Sequence, residues 1–198
     1  MTLDHHPESL QPQLRLCRSL EEPLPRRKPL PPRHTLRPYA PGDEAAWAKL
    51  LHENRLLGDW DEARIRAMME RDSPGLLLDG TFFVLRDGEF VATACTLRHQ
   101  SRTPGCELLE IGWVGVAESA RGHNLAYIVS HAVLAHWQPR VTGDMFILTD
   151  DWRVPAIVTY LRLGFRPAIV DLNQVERWRR LAEGFEGELR EWATPPAR

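Results

Sequence analysis

The chain has 198 residues, of which 43% are hydrophobic, 26% are charged and 8% are aromatic, and this profile predicts one water-soluble globular domain with a tail. The formal net charge of −2 gives no attractive field for nucleic acid or an anionic membrane, so neither is an expected partner. The composition also excludes a wholly disordered or fibrous chain, and no apolar run is long enough to form a transmembrane helix.

Proline is concentrated at the start of the chain. Nine of the sixteen prolines lie in the first 41 residues, and the run 23–32 predicts an extended arm, because proline fixes φ and lacks an N–H. Before this run, residues 13–18 alternate between polar and apolar side chains, which indicates either a short edge strand or part of a disordered leader. The sequence thus divides into a proline-rich N-terminal arm, 1–33, and a domain, 34–198.

The leucine content of the arm favours an ordered structure. The leucines concerned are Leu10, Leu14, Leu16, Leu20, Leu24 and Leu30. Because edge strands expose unpaired backbone groups, we expect the alternating segment to dock on a sheet edge of this domain or of a second copy, so a homodimer is a further expectation. The basic residues Arg26, Arg27 and Lys28 are expected to form a solvated linker rather than a binding site.

Strands and helices alternate in a mixed order from His34 onward. A strand at 34–39 precedes a helix that Asp43 caps, and a second helix begins near Asp61. The Asp87-Gly88 turn predicts a hairpin between strands at 81–86 and 89–98. The later elements are a strand at 107–116, a helix at 121–137, a strand at 145–149, a helix at 154–163, a strand at 165–171 and a charged helical stretch at 174–192. This order, β-α-α-β-β-β-α-β-α-β, predicts one mixed α/β (α+β) sheet flanked by helices.

The three cysteines, Cys17, Cys95 and Cys106, form an odd number with no spacing typical of a metal site. They predict a chain without a disulfide framework, in a reducing compartment. Cys95 and Cys106 are expected to be buried thiols rather than nucleophiles. The segment 1–12 lacks the basic and apolar regions of a secretory signal, so we expect a cytoplasmic protein. His131 and His136 lie five positions apart on a predicted helix, which is the wrong spacing for a shared metal, and no metal is expected.

An anion site is indicated where the strand ending at Val116 is followed by a turn and a helix. The N-terminus of a helix exposes backbone N–H groups and the positive end of its dipole, and Arg121 adds a fixed charge there. From the residues alone, an ordinary strand-to-helix corner with an exposed arginine is the favoured interpretation.

Two segments resemble motifs of the GNAT acyltransferase superfamily. Arg121-Gly-His-Asn-Leu-Ala126 resembles that family's acyl-CoA loop, and the strand end Val114-Gly-Val116 is similar to its fourth strand. The stretch 149–165 resembles a second family motif, in which Ala156, Tyr160, Gly164 and Phe165 fall in register. The resemblance covers about 34–171 and implies a GNAT-like, largely antiparallel sheet and an acetyl-CoA-dependent N-acetyltransferase.

The resemblance also implies roles for individual residues. Tyr160 matches the family's general acid. Backbone groups of the strand end and the loop would hold acetyl-CoA as a co-substrate. The implied cofactor-binding residues are Val114, Gly115, Val116, Arg121, Gly122, His123, Asn124, Leu125, Ala126 and Arg153. Two of these depart from the family pattern: Asn124 stands where a glycine is usual, and Arg153 stands where an asparagine is usual.

The general base is assigned to Glu110, with Glu107 as the competing candidate. Side chains alternate along a strand, so Glu110 is expected to share a face with Gly112, Val114 and Val116. Its apolar neighbours would raise its pKa toward neutrality.

The expected function is acetyl transfer from acetyl-CoA to a primary amine by direct attack. One alternative is a CoA-binding protein of this fold with weak or lost catalysis, and another is an interaction module that uses the proline-rich arm. The acceptor pocket is expected near 56–72 and 99–106, where Trp60, Trp113 and Trp152 are either pocket or core residues.

Overall fold

The computed structural model describes residues 11–54, 57–100 and 108–195. Seven strands form one mixed sheet, and their bounds are β1 Leu14–Ser19, β2 His34–Pro38, β3 Gly75–Arg86, β4 Glu89–His99, β5 Leu108–Val116, β6 Asp144–Thr149 and β7 Arg166–Ala168. The helices are α1 Glu44–Glu53, α2 Glu62–Met69, α3 Leu125–Trp137, α4 Val154–Arg162, α5 Asn173–Glu183 and α6 Gly187–Ala193. A short 3₁₀ turn, Glu118–Ala120, lies between β5 and α3. The predicted fold class is confirmed.

The sheet has the order β2-β3-β4-β5-β6-β1-β7. All neighbouring strands are antiparallel except β5 and β6, which run parallel. This parallel pair is short, because only Leu109 and Glu110 of β5 pair with β6. Beyond Glu110 the two strands share no further ladder pairs, and the sheet opens there on one side of β5.

The helices cover both faces of this sheet. On one face, α1 and α2 pack Trp47, Leu51 and Ile65 against residues of β3 and β4 such as Phe83 and Cys95. On the other face, α3, α4 and α5 pack against the sheet and include Val129, Ile157 and Trp178 in a second, larger core cluster. No helix among the described residues is long and apolar enough to cross a membrane.

The strand predicted in the N-terminal arm is present as β1, but it is not an edge strand. It pairs with β6 on one side and with β7 on the other, so it lies inside the sheet. Leu14 and Leu16 are fully buried, which agrees with the alternation in the sequence. The expectation of edge docking was therefore wrong, although the expectation of an ordered arm is met over 11–33. The boundary at residue 33 remains a prediction.

The proline-rich run lies along α3. The Tyr127 hydroxyl donates to the Arg26 carbonyl at 2.9 Å, and His131 Nε2 donates to the Pro25 carbonyl at 2.9 Å. Lys28 Nζ donates to Asn124 Oδ1 at 2.7 Å. This hydrogen bond is exposed to solvent, so the expectation of a solvated linker at 26–28 stays a prediction.

A β-bulge in β5 changes which side chains share a face. Thr93 of β4 pairs with Gly115 and Cys95 pairs with Gly112, so two residues of β5 oppose one residue of β4. Trp113, in the bulge, has a φ of 49°. The alternation restarts there, so Val114 and Val116 pack with the larger core cluster, on the face that α3 covers. Glu110 pairs with Leu97, and the Leu97 side chain lies in the cluster on the opposite face, which α1 and α2 cover. The prediction that Glu110 shares a face with Val114 and Val116 was therefore wrong.

Other element bounds differ modestly from the prediction. Strand β3 begins six residues earlier than expected, at Gly75, and β7 is only three residues long. Helix α3 begins at Leu125 rather than at Arg121. The reason for the later start is Asn124, whose left-handed backbone (φ 57°) cannot continue a right-handed helix toward its N-terminus.

Candidate active site

A cleft of about 950 Å³ occupies the opening between β5 and β6. Its walls come from β5, β6, the start of α3 and the first two turns of α4. Among the predicted site residues, those that line it are Glu110, Val114, Val116, Arg121, Gly122, Asn124, Leu125, Ala126, Arg153 and Tyr160. The fold thus brings two separate sequence motifs and the candidate base to one cavity.

The loop before α3 forms the end of the cleft that is suited to an anion. Gly122 (φ 83°) and Asn124 (φ 57°) both have positive φ, and this turns the chain so that α3 begins at the cleft wall. The first backbone N–H groups of a helix have no partner within the helix, and they carry the positive end of its dipole. Arg121 is exposed and lines the same space. This end of the cleft can therefore bind a pyrophosphate.

Two of the predicted cofactor residues do not line the cleft. A Cβ at Gly115 would lie 3.1 Å from Leu57 and 3.4 Å from Asn54, so this residue faces α1. His123 is exposed, and its ring lies 6.5 Å from that of His34. Gly115 has no side chain, so any part that it plays in cofactor binding would come from its backbone, and the roles of both residues remain predictions.

Strand β5 has an open edge where it borders the cleft. Its β6 side has no ladder partner from Ile111 onward among the described residues, while its other side remains paired with β4. Asn54 Nδ2 donates to the Val116 carbonyl at 3.1 Å and fixes the end of the strand. Backbone groups on the open edge are therefore available to a ligand that lies along the strand.

Tyr160 is buried on α4 and lines the cleft. Burial raises its pKa well above the ordinary value of 10, and the nearby Arg153 charge opposes this shift only in part. Its hydroxyl makes no hydrogen bond to another described residue. At neutral pH the side chain therefore keeps its proton and can donate it into the cleft.

Glu110 forms a close pair with His99. Glu110 Oε2 lies 2.7 Å from His99 Nε2, and the carboxyl side chain is 12% exposed. Burial raises the pKa of Glu110 above its ordinary value of 4.5, while His99 and Arg15 oppose the shift. The strand predicted at 89–98 stops before His99, which is the last residue of β4 and faces Glu110 on the neighbouring strand β5. The sequence does not state the register of these two strands, so this pair could not be predicted. Glu107, the competing base, lies outside the described residues.

Arg153 occupies the N-cap position of α4, where its side chain makes no capping hydrogen bond but contacts Asp150 and Trp152. Its Nε lies 3.1 Å from Asp150 Oδ2, and its guanidinium lies 4.7 Å from the centre of the Trp152 ring. Arg153 and Trp152 both line the cleft, and Trp152 is 40% exposed. The cleft therefore has a second cation besides Arg121, and it lies on the α4 wall.

The tryptophans predicted for an acceptor pocket divide between cleft and core. Trp113 and Trp152 line the cleft, whereas Trp60 is buried and packs edge-on against Trp113 with ring centres 4.5 Å apart. Part of the predicted pocket, Leu56 and 101–106, lies outside the described residues.

The cysteines and histidines show no arrangement for other chemistry where the structure describes them. Cys95 is buried, its Sγ lies 3.4 Å from the Gly112 carbonyl, and burial raises its pKa. Cys17 is half-buried and has a raised pKa, and Cys106 lies outside the described residues. Within the described ranges, no three His, Cys, Asp or Glu side chains come together as a metal site would require.

Curated relatives with similar sequences include two that are named mycothiol acetyltransferase. The protein from Cellulomonas flavigena is 29% identical over 153 residues, which cover 72% of this chain and 43% of that protein. The protein from Nocardia farcinica is 32% identical over 148 residues, which cover 69% of this chain and 46% of that protein. The chain thus spans about half the length of the curated relatives it matches. No protein-family model matches the sequence.

The fold has a solved counterpart in a GCN5-related N-acetyltransferase (GNAT) from Sphaerobacter thermophilus. The two superpose with a TM-score of 0.62 at 22% identity, over 80% of this chain and 50% of that chain. The chain therefore has the GNAT fold. Within this GNAT fold, the cleft lies where β5 and β6 separate, and both motifs that suggested the family from sequence border it.

Proposed function

We propose that the chain is an N-acetyltransferase that transfers the acetyl group of acetyl-CoA to a primary amine by direct attack. The observation that carries this proposal is the opening of the sheet between β5 and β6. It gives one cleft a helix start suited to an anion, an unpaired strand edge, a carboxylate with a raised pKa and a protonated tyrosine. The names of the relatives support acetyl transfer as the reaction class.

Acetyl-CoA would be bound along the cleft from its phosphates to its thioester. Arg121 and the first amides of α3 would hold the pyrophosphate, because both present positive charge and N–H donors to it. The open edge of β5 around Val114 would donate to the amides of the pantetheine arm and to the thioester oxygen. Donors fixed by the fold stabilise the negative charge that develops on that oxygen during attack.

The reaction needs two proton transfers, and the cleft holds one candidate for each. The amine nitrogen attacks the thioester carbonyl carbon, a C–N bond forms and the C–S bond breaks. Glu110 would take the proton that the amine loses, and burial raises its pKa toward the range that a base needs near neutral pH. Tyr160 would give its proton to the departing sulfur.

The acceptor is proposed to be a small amine, and amines related to mycothiol are the first to test. This choice follows from the names of the relatives, whose sequences match over most of this chain. Trp113 and Trp152 border the cleft and offer apolar surface to such an acceptor.

The deciding experiment measures release of the CoA thiol from acetyl-CoA in the presence of a panel of amines, with the acetylated product identified by mass spectrometry. We expect amine-dependent thiol release that matches product formation. Absence of CoA binding in calorimetry would refute the proposal. Tight CoA binding with no turnover across the panel would instead support the alternative in which this GNAT fold binds CoA without catalysis.

A further inference from the structure

The proline-rich arm places a lysine at the start of α3. Lys28 Nζ donates to Asn124 Oδ1 at 2.7 Å and lies 4.7 Å from the centre of the Tyr127 ring. Asn124 and Tyr127 both line the cleft. The ammonium therefore lies beside the loop that is proposed to bind the pyrophosphate of acetyl-CoA.

This lysine is held in place by the segment that carries it. Hydrogen bonds from Tyr127 to the Arg26 carbonyl and from His131 to the Pro25 carbonyl fix this extended part of the arm on α3. Gln138 Nε2 also donates to the Glu22 carbonyl at 2.6 Å. Proline residues limit the backbone freedom of the run 23–32, so little order has to be gained when a ligand binds.

Lys28 also meets the residue that departs from the family pattern. Asn124 replaces the usual glycine of the loop, and its amide oxygen is the atom that Lys28 binds. The asparagine keeps the left-handed backbone that a glycine would have, with a φ of 57°. Two features particular to this chain, the lysine on the arm and the asparagine in the loop, therefore form one contact at the cofactor end of the cleft.

We propose that Lys28 binds a phosphate group of acetyl-CoA, so that the N-terminal arm forms part of the cofactor site. This inference rests on the proposed function. An ammonium carries three donors, and one of them is used by Asn124, which leaves donors for phosphate oxygens. Lys28 and Arg121 supply charge from two different segments. The amides at the start of α3 follow Arg121 on the loop whose Asn124 binds Lys28.

Acetyl-CoA offers two kinds of phosphate to this ammonium, the pyrophosphate and the 3′-phosphate of the ribose. The shared chemistry is charge-assisted hydrogen bonding to a phosphate oxygen. The two sources are separated by comparing CoA with 3′-dephospho-CoA, which keeps the pyrophosphate and lacks the other group.

The test measures dissociation constants for CoA and 3′-dephospho-CoA by calorimetry, for the wild type and for Lys28→Gln, Lys28→Arg and Arg27→Gln. Arg27 is exposed on the same segment, so Arg27→Gln is a control with the same loss of charge. We expect Lys28→Gln to weaken CoA binding by about tenfold, as the loss of one charge-assisted hydrogen bond predicts. Arg27→Gln should change it less than about twofold, since exposed charges are screened, and Lys28→Arg should keep most of the affinity.

Each outcome decides one question. If the loss caused by Lys28→Gln disappears with 3′-dephospho-CoA, the lysine binds the 3′-phosphate, and if the loss persists, it binds the pyrophosphate. Equal effects of Lys28→Gln and Arg27→Gln on folded protein would overturn this inference and leave the proposed function intact. A wild-type chain that binds neither ligand would overturn both.

Discussion

The guanidinium of Arg18 donates a hydrogen bond to the Leu163 carbonyl at 2.9 Å, which joins the N-terminal strand to the end of α4. Arg18 is only 3% exposed. Its remaining donors reach the carbonyls of Ser19, Glu22 and Pro23 at 2.7–3.1 Å, so it also fixes the turn that leads into the proline-rich run. One buried side chain thus connects the strand inside the sheet, the arm and the helix that carries Tyr160.

Replacement of Arg18 by methionine is expected to lower the free energy of unfolding by about 2–4 kcal/mol. The side chain volume is similar, but four backbone carbonyls lose their donor, and unsatisfied buried polar groups are costly. Urea denaturation followed by circular dichroism measures the change. Arg98→Met, an exposed arginine on β4, is the control and should shift stability by less than about 0.5 kcal/mol. Equal stabilities of the two variants would contradict the structural role of Arg18.

The sequence predicted the order of strands and helices because each element has its own local signal. The hairpin turn at Asp87-Gly88 and the apolar stripe of α3 are contained within short windows of the chain. The position of β1 is not a local property. Its alternation of buried and half-buried residues indicates a strand, yet a strand that has partners on both sides and a strand at an edge have the same alternation.

The sequence predicted the site residues that belong to a local motif. It did not predict the residues that reach the site through a contact between distant segments. The loop at 121–126 and Tyr160 were found from two motifs, and both border the cleft. The bulge at Trp113 has no sequence signal, so counting alternate residues through it assigned Val114 to the wrong face. Lys28 and His99 reach the site through contacts across 96 and 11 positions, which composition and periodicity do not encode.

Reversal of the charge at Arg121 is expected to weaken CoA binding by about 10- to 100-fold, because an attractive charge-assisted contact to phosphate becomes repulsive. Calorimetry with CoA measures the change. Arg162→Glu makes the same charge reversal on an exposed position of α4 that does not line the cleft, and it should leave the affinity nearly unchanged. Unchanged affinity in a folded Arg121→Glu variant would remove this residue from the proposed site.

The pH dependence of turnover is expected to report Glu110. A base must be deprotonated, and burial raises the pKa of this carboxyl above 4.5, so activity should fall as the pH is lowered through that raised value. The same shift means that the ionised carboxylate costs folding free energy above its pKa, and protonation relieves that cost at lower pH. The profile of kcat/KM against pH measures the acid limb.

The Glu110→Gln variant should lose this acid limb and reduce turnover by about 100- to 10,000-fold, the usual range for general base catalysis. Glu107→Gln is the matched comparison, since Glu107 is the competing candidate on the same predicted strand. Loss of the limb in Glu107→Gln, with Glu110→Gln unaffected, would transfer the role to Glu107. Retention of the limb in both variants would exclude both carboxylates as the base.

The Tyr160→Phe variant removes one hydroxyl from the cleft and is expected to slow the chemical step by about 100- to 10,000-fold, because the departing thiolate loses its proton donor. The fold should persist, since the hydroxyl has no hydrogen-bond partner among the described residues and the ring packs against Phe165 with centres 6.5 Å apart. CoA affinity should change little. Single-turnover measurements report the chemical step even when product release limits kcat.

Tyr39→Phe is the control, because that hydroxyl donates to Glu44 and does not line the cleft. An unchanged single-turnover rate in Tyr160→Phe would assign Tyr160 to the core alone.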